Sequence, residues 1–217
     1  MSRGKFEAST TLYGFLGLLA VRPMTTYELA KHFDRSLGRT WPRARSKLFE
    51  APKRLVDLGF ARASKARTGL RPKTVYTITP KGRRALAAWL AEPGDGPELE
   101  FEQLIKIFFG EHGGTAAIVT NLEAARDWAR AQIDEHLEVG RAYLEGRGAF
   151  QERVAVNSIS GRFLAEFALT VERWATRSLA IVASWPDDPR EAPPDLQGLE
   201  EITRELEATL AGREAGS

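Results

Sequence analysis

Apolar residues recur at helical spacing along the N-terminal part of the chain and predict three helices there. Residues 11–21 are apolar on nearly every side, which predicts a helix buried between other elements. A second helix is predicted over residues 27–34, where Thr25 and Thr26 stand in front as possible N-cap residues. A third begins at Pro42, because the first helical position has no use for an amide hydrogen.

The third predicted helix has an apolar face and a largely cationic face. At about 100° per residue, the apolar stripe consists of Ala44, Leu48, Ala51, Leu55 and Leu58. The opposite face consists of Arg43, Ser46, Lys47, Glu50 and Arg54. Pro52 interrupts the helix, because proline deletes a backbone hydrogen bond and kinks the axis. A helix face with Arg, Ser and Lys suits the major groove of DNA, so we predict that residues 43–50 enter a groove. Because of Pro52, we also predict that the helix bends before Lys53.

Two short strands follow, predicted at residues 61–66 and 73–78. The connection between them contains glycine and proline and carries Arg67 and Arg71. Pro80 then begins a further helix. Three helices, a hairpin and a fourth helix predict a winged helix-turn-helix, in which the third helix enters the major groove and the hairpin follows the backbone or the minor groove.

Helical periodicity continues beyond residues 93–97, whose two prolines and two glycines predict a domain junction. The further predicted helices are a short one at 99–109, two long ones at 116–144 and 160–185, and an amphipathic one at 199–210. Residues 186–198 are predicted to be a linker and residues 212–217 to be disordered. Two long amphipathic helices need partners to close their core, and a second copy of the chain supplies them most simply.

The predicted fold is therefore mainly α with a small β-hairpin. Residues 1–92 are expected to form a winged helix-turn-helix DNA-binding domain. Residues 93–217 are expected to form a helical domain for homodimerisation and possible effector binding.

Charge is unevenly divided between these two parts. Residues 1–92 hold 19 Lys and Arg against 6 Asp and Glu, a net charge of +13, whereas residues 93–217 hold 12 against 23, a net charge of −11. Concentrated positive charge favours a polyanionic partner, because neutralised phosphates release condensed counterions. Double-stranded DNA is the expected partner; a solvated basic surface without a partner is the alternative.

The predicted DNA contacts follow from these elements. Base contacts are expected from Arg43, Ser46 and Lys47, since Arg and Lys donate to guanine edges and Ser adapts to several bases. Phosphate contacts are expected mainly from Arg39, Thr40, Arg45, Lys53, Arg54, Arg67, Arg71 and Lys73. Tyr27 and Lys31 on the preceding helix are expected near the DNA backbone.

Five short motifs in residues 12–93 carry a family resemblance by their order and spacing. They are Thr26-Tyr27-Glu28-Leu29-Ala30-Lys31, Leu37-Gly38-Arg39-Thr40-Trp41-Pro42, Ser46-Lys47-Leu48-Phe49, Lys53-Arg54-Leu55 and Val75-Tyr76-Thr77-Ile78-Thr79-Pro80-Lys81-Gly82. The segment resembles the PadR family of bacterial regulators. The resemblance implies repression at a palindromic operator by a homodimer whose C-terminal half is the dimer arm, often relieved by a small, frequently aromatic molecule. Lys47 stands where the family often has Gln, and Pro52 where many members have a helix former.

Large aromatic residues on the C-terminal helices are candidates for an effector pocket. The candidates are Trp128, Phe163, Phe167 and Trp174. Planar side chains at a domain or subunit interface can line a site for a flat ligand. The alternative is that they only fill the helical core.

The sequence offers little for catalysis or metal binding. It contains no cysteine, its three histidines stand far apart, and it lacks phosphate-binding glycine loops and nucleophile-elbow motifs. We therefore predict no enzymatic activity, no metal and no cofactor. The first residues lack the pattern of a signal peptide, and the apolar stretch 12–21 is too short to cross a bilayer, so a soluble cytoplasmic protein without membrane contact is expected.

Two other classes of function stay open at this stage. One is an adaptor whose winged domain binds a protein without reading DNA; its surface would be richer in apolar side chains than in arginine. The other is an enzyme with a DNA-binding appendage, which the motif-poor helical half supports least.

Overall fold

The structure, a computed structural model, describes residues 7–38, 40–41, 47–68 and 71–214. Its backbone contacts divide the chain into two compact units, Met1–Pro97 and Glu98–Ser217. The boundary lies at the end of the proline- and glycine-containing segment 93–97.

Four helices and a small antiparallel sheet form the first unit. The helices are α1 (Thr10–Val21), α2 (Thr26–Ser36), α3 (Ala51–Asp57) and α4 (Pro80–Leu90). The strands are β1 (Met24–Thr25), β2 (Ala61–Thr68) and β3 (Arg71–Ile78), in the order β1-β3-β2. The predicted fold class, mainly α with a small β-hairpin, is confirmed. The prediction missed β1, because two residues are too few to show an alternating pattern.

Helix α1 is the centre of this unit, as its all-round apolar character predicts. Phe15 and Leu16 are fully buried, and the Phe15 ring stacks on Phe33 of α2 with centroids 4.6 Å apart. Tyr13 stacks on Trp89 of α4 at 5.0 Å. The same burial raises the pKa of the Tyr13 hydroxyl, with a smaller contribution from the charge of Glu7. The helix thus supports the elements around it through its aromatic contacts.

The predicted third helix is shorter than expected. Lys47 is in 3-10 conformation, residues 48–50 form a turn and α3 begins at Ala51, so the prediction of a continuous α-helix through residues 47–50 is wrong. The reason is Pro52, which has no amide hydrogen to donate to a carbonyl four residues earlier. Proline therefore stands in the first turn of α3, where this loss costs nothing. The other part of the predicted groove-entering segment, residues 43–46, lies outside the described residues.

Four helices make up the regular structure described in the second unit. They are α5 (Glu102–Phe108), α6 (Gly114–Leu144), α7 (Val154–Val182) and α8 (Leu196–Glu214), with short 3-10 turns at Gly110–His112, Gln151–Arg153 and Pro189–Glu191. The long helices α6 and α7 pack antiparallel, since Ile118 meets Val182 at one end and Asn157 donates to the Tyr143 hydroxyl at the other. Alanines at their contact, Ala125, Ala129 and Ala175, let the two backbones approach closely.

Helix α8 begins earlier and ends later than predicted. Asp195 accepts a hydrogen bond from the Gly198 amide at 2.9 Å, which is an N-cap contact, so the helix starts at Leu196 inside the predicted linker. Residues 212–214 are helical, so the prediction of disorder is wrong there, and residues 215–217 lie outside the described residues. Within the described part of the chain, every helix is too short or too polar to cross a membrane.

Candidate nucleic-acid interface

The turn that follows α2 is held against α1. The Gly38 amide donates to the Phe33 carbonyl at 2.8 Å, and the Trp41 amide donates to the Leu37 carbonyl at 2.8 Å. The Trp41 indole nitrogen donates to the Thr11 hydroxyl of α1 at 3.0 Å. These bonds fix where the chain leaves α2, and thus where the segment leading to α3 starts. The candidate Thr40 is exposed in this turn and donates to the Leu37 carbonyl.

Helix α2 begins with a reciprocal cap. The Thr25 hydroxyl accepts the Glu28 amide at 3.2 Å, and a Glu28 carboxylate oxygen accepts the Thr25 amide at 2.8 Å. The Thr25 hydroxyl also donates to that carboxylate. The cap was expected from Thr25, and it fixes the register of the helix from its first residue.

This register points two candidates outward. Leu29 and Phe33 are buried, whereas Tyr27 is 75% exposed and Lys31 is exposed one turn later. Residues four apart on a helix are neighbours on its surface. Tyr27 and Lys31 therefore form one outward stripe on α2.

The turn before α3 and the helix itself present three candidate cations. Lys47, whose side chain is 60% exposed, makes an ion pair with Glu50 at 3.3 Å. Lys53 and Arg54 are exposed in α3, while Leu55 is fully buried beneath them. Glu50 thus offsets part of the charge of Lys47, whereas Lys53 and Arg54 lie on the solvent side of a helix whose other side buries Leu55.

Strand β3 brings a further cation close to the start of α2. Thr25 in β1 pairs with Val75 of β3, two residues from the exposed Lys73. The hydrogen bonds from Thr25 lower the pKa of the Glu28 carboxyl, and the charges of Arg22 and Lys73 lower it further. The charge of Lys73 on β3 therefore acts on the Glu28 carboxyl in the first turn of α2.

Arg67 and Arg71 lie in the hairpin strands rather than in the connection between them. Arg67 pairs with Pro72, and Thr68 pairs with Arg71, at the outer end of the ladder. Both strands run farther than predicted, so these arginines occupy ladder positions. Residues 69–70 lie outside the described residues.

Sequence reasoning missed exposed cations on β2 and α4. On β2, Arg62 pairs with Thr77, which places it on the same sheet face as Lys73, opposite the face of the buried Tyr76 and Ile78. Its position in the alternation of β2 was the signal available in the sequence. The other exposed cations missed are Lys65, Lys81, Arg83 and Arg84.

Some of the predicted DNA contacts are exposed in the structure, and others lie outside the described residues. Tyr27, Lys31, Thr40, Lys47, Lys53, Arg54 and Lys73 are exposed. Arg39, Arg43, Arg45 and Ser46 lie outside the described residues. Assigning any of these residues to a base or a phosphate stays a prediction.

The four candidate effector residues differ in their aromatic contacts. Trp128 and Phe167 meet edge to face at 6.1 Å, whereas Trp174 meets Phe101 at 5.9 Å. Phe167 and Trp174 are partly buried against the α6–α7 core, while Phe163 is 55% exposed. Phe101, which the sequence prediction missed, precedes α5 directly. The aromatic residues therefore make two separate pairs with an exposed Phe163 one turn before Phe167.

A metal site has little support in this geometry. Among the described residues, no three His, Asp or Glu side chains gather closely enough to hold a metal ion.

Comparison with known proteins gives a family match in the first unit and structural matches over most of the chain. Residues 15–88 match the Transcriptional regulator PadR-like family. The chain is 30% identical over 125 residues to the "Probable transcriptional regulator Rv1176c" of Mycobacterium tuberculosis, an alignment of 52% of this chain and 66% of that protein. It is 30% identical over 99 residues to the "Negative transcriptional regulator PadR" of Bacillus subtilis, covering 45% of this chain and 54% of that protein.

Solved structures of Bacillus subtilis PadR share the fold. The complex with operator DNA superposes with a TM-score of 0.70 at 20% identity, covering 80% of this chain and 99% of that chain. The complex with p-coumaric acid gives a TM-score of 0.64 at 21% identity, covering 81% and 100%.

The two kinds of similarity differ in what they establish. The sequence alignments span less than two thirds of either relative. The structural matches, at about one identical residue in five, show the common fold. Within the winged unit, residues 15–88 are therefore similar to the PadR-like family of transcriptional regulators.

Proposed function

We propose that this protein is a sequence-specific DNA-binding transcriptional regulator, a homodimeric repressor whose affinity for a palindromic operator changes with a small aromatic ligand. It acts as a regulator and not as an enzyme, and it works in the cytoplasm on double-stranded DNA. The similar protein from Bacillus subtilis is a negative regulator with a structure bound to operator DNA, which supports this proposal.

The exposed cations of the winged unit are the observation that carries the proposal. Lys31 on α2, Lys53 and Arg54 on α3, and Lys73 on β3 are all solvent-exposed, each on an element whose opposite side is buried. In winged helix-turn-helix proteins these elements meet the groove and the flanking phosphates. Residues 1–92 carry 19 basic against 6 acidic side chains, which supplies the attraction to a polyanion.

Exposed apolar residues in the second unit support homodimerisation. Helix α8 carries Leu199, Ile202, Leu206 and Leu210 at helical spacing, and each is about half exposed or more. Ile159 of α7 is 73% exposed. Apolar stripes of this length are typical of surfaces that a second chain covers, and symmetric dimers are the commonest oligomers.

The ligand-responsive part of the proposal rests on the exposed edge of the Trp128–Phe167 pair, with Phe163 one turn away. A structure of Bacillus subtilis PadR holds p-coumaric acid. Titration of this protein with a panel of phenolic acids is expected to change tryptophan fluorescence and to weaken operator binding. A Trp128→Ala variant that keeps the full response, with Arg177→Ala as the matched surface control, would exclude this aromatic pair as the ligand site.

Footprinting on the promoter region upstream of its own gene tests the proposal. We expect protection of two symmetric half-sites with centres about 34 Å apart, one helical turn of DNA. A scrambled duplex of equal length is the control and is expected to show no discrete protection. Absence of a protected, symmetric site on every promoter tested contradicts an operator-binding dimer.

A further inference from the structure

The end of α3 leaves carbonyl groups that no residue of the helix can bond. Near the start of α4, Lys81 bonds the carbonyl of the α3 C-cap residue, and Thr79 bonds the carbonyls of the two residues that follow it. The Lys81 ammonium donates to the carbonyl of Leu58, the C-cap residue of α3, at 3.0 Å. The Thr79 hydroxyl donates to the Gly59 carbonyl at 2.7 Å, and the Thr79 amide donates to the Phe60 carbonyl at 2.9 Å. These contacts join α3 directly to α4.

The Lys81 side chain is fixed by more than this one bond. Its nitrogen lies 3.3 Å from a carboxylate oxygen of Glu7 and 5.1 Å from the centre of the Phe60 ring. A positive charge at the C-terminal end of a helix also interacts favourably with the helix dipole, and a cation over an aromatic face adds further attraction. The ammonium of Lys81 thus makes three contacts within the protein, although its side chain is 51% exposed.

Gly82 permits the close approach that these contacts need. A Cβ atom at this position would overlap the carbonyl oxygen and carbon of Phe60. The Gly82 amide donates to the Thr79 hydroxyl at 3.0 Å, which starts α4 in the same place. Any side chain at residue 82 would push α4 away from Phe60 and carry Lys81 away from Leu58.

We propose that Lys81 is a positioning residue for DNA recognition, which fixes the orientation of α3 through the Leu58 carbonyl and contacts no phosphate itself. This inference rests on the proposed function, because it assigns how the DNA-facing helix is held. Lys53 and Arg54 lie one turn before Leu58 on α3. A rotation of the helix end displaces both of them, and with them the segment that precedes α3.

The test compares Lys81→Met, which keeps the alkyl chain but loses the charge and the donors, with Lys81→Arg and with the exposed control Arg83→Met. Affinities are measured by fluorescence anisotropy for the footprinted operator duplex and for a scrambled duplex, each over a range of salt. For Lys81→Met we expect about tenfold weaker operator binding with scrambled-duplex affinity and the salt slope unchanged. Lys81→Arg is expected to restore most of the loss, since guanidinium also donates to a carbonyl.

The outcomes distinguish a positioning role of Lys81 from a phosphate contact. They also distinguish failure of this inference from failure of the proposed function. A phosphate contact predicts parallel losses on both duplexes and a smaller salt slope for Lys81→Met. Unfolding of the variant would also lower both affinities together. A parallel loss of affinity on the operator and the scrambled duplex, or no loss on either, therefore overturns the inference and leaves the proposed function standing. The control variant Arg83→Met is expected to lower the affinities for both duplexes or for neither. If Arg83→Met weakened operator binding alone, a specific role for Lys81 would also be overturned. If the wild-type protein binds neither duplex, the proposed function fails, and the inference fails with it.

Discussion

Gly82 in the first turn of α4 packs directly on the carbonyl group of Phe60, leaving no room there for a Cβ atom. Phe60 comes between α3 and β2, so this contact joins the first turn of α4 to the end of α3 and the start of the wing. The last four residues of the resemblance motif, Thr79-Pro80-Lys81-Gly82, therefore have a physical role, which is to let the first turn of α4 approach the backbone between α3 and β2.

Gly82→Ala is expected to destabilise the protein by about 1–3 kcal/mol, the usual range for overpacking a rigid contact. Chemical denaturation followed by tryptophan fluorescence measures the change. Gly17→Ala in α1 is the matched control, since a Cβ there meets nothing within 4 Å. That control is expected to be neutral or stabilising, because alanine favours helix more than glycine does. Equal effects of the two variants would contradict the role of the Phe60 contact.

Thr25→Ala is expected to cost about 1 kcal/mol of stability, because it removes the side chain that caps α2. Thr26→Ala, one residue later, leaves the Thr25–Glu28 cap intact and serves as the control. Thermal unfolding of the two variants side by side measures the difference. A Thr26→Ala loss as large as that of Thr25→Ala would show that the cap is not the cause.

The same cap makes stability depend on pH. The folded state lowers the pKa of Glu28 below its ordinary value of 4.5, chiefly through the Thr25 hydrogen bonds. A carboxyl with a lowered folded pKa stabilises the protein above its unfolded pKa, and that contribution is lost as pH falls through the folded pKa. We therefore expect Glu28→Gln to narrow the stability difference between neutral pH and acid pH below about 4.5.

The prediction of secondary structure from sequence found helices whose apolar periodicity extends over several turns. It failed at helix ends that a single residue determines. Helices α1, α6 and α7 were found because their apolar stripes run for several turns, but α7 begins six residues earlier and ends three residues earlier than predicted. Helix α3 was overextended because the stripe that includes Leu48 outweighed the constraint of Pro52. The start of α8 was placed too late because the capping role of Asp195 was not recognised.

The exposed cations of the candidate site could be predicted from the sequence, but the contacts that hold its helices in place could not. Exposed lysines and arginines, such as Lys53, follow from helical periodicity. The role of Lys81 does not, because its partner Leu58 lies 23 residues away and offers a backbone carbonyl, which has no signature in the sequence. The division of the aromatic residues into two pairs likewise depends on the register between α6 and α7.

The predicted division between base contacts and phosphate contacts is tested by alanine variants. Arg43→Ala or Lys47→Ala is expected to cost about 1–3 kcal/mol on the operator and little on scrambled DNA. Arg71→Ala is expected to weaken both duplexes and to flatten the salt slope by about one. Fluorescence anisotropy at several salt concentrations measures both quantities, with Arg177→Ala as the surface control. Equal losses from both classes of variant on both duplexes would contradict the division.

Dimerisation through α8 is tested by charge substitution within its apolar stripe. The double variant with Ile202→Glu and Leu206→Glu is expected to be monomeric, because burying two carboxylates in an apolar interface is costly. Sedimentation velocity measures the mass, and Glu205→Gln on the same helix is the control that is expected to stay dimeric. A dimeric double variant would place the interface elsewhere, and a monomeric wild-type protein would contradict dimerisation itself.

Binding of the wild-type protein to its own promoter, titrated over salt from about 50 to about 200 mM, tests the central claim most directly. The account predicts that the promoter duplex binds at least about a thousandfold more tightly than a scrambled duplex and that both affinities fall steeply with salt. Failure to bind any duplex, even at the lowest salt, would contradict it.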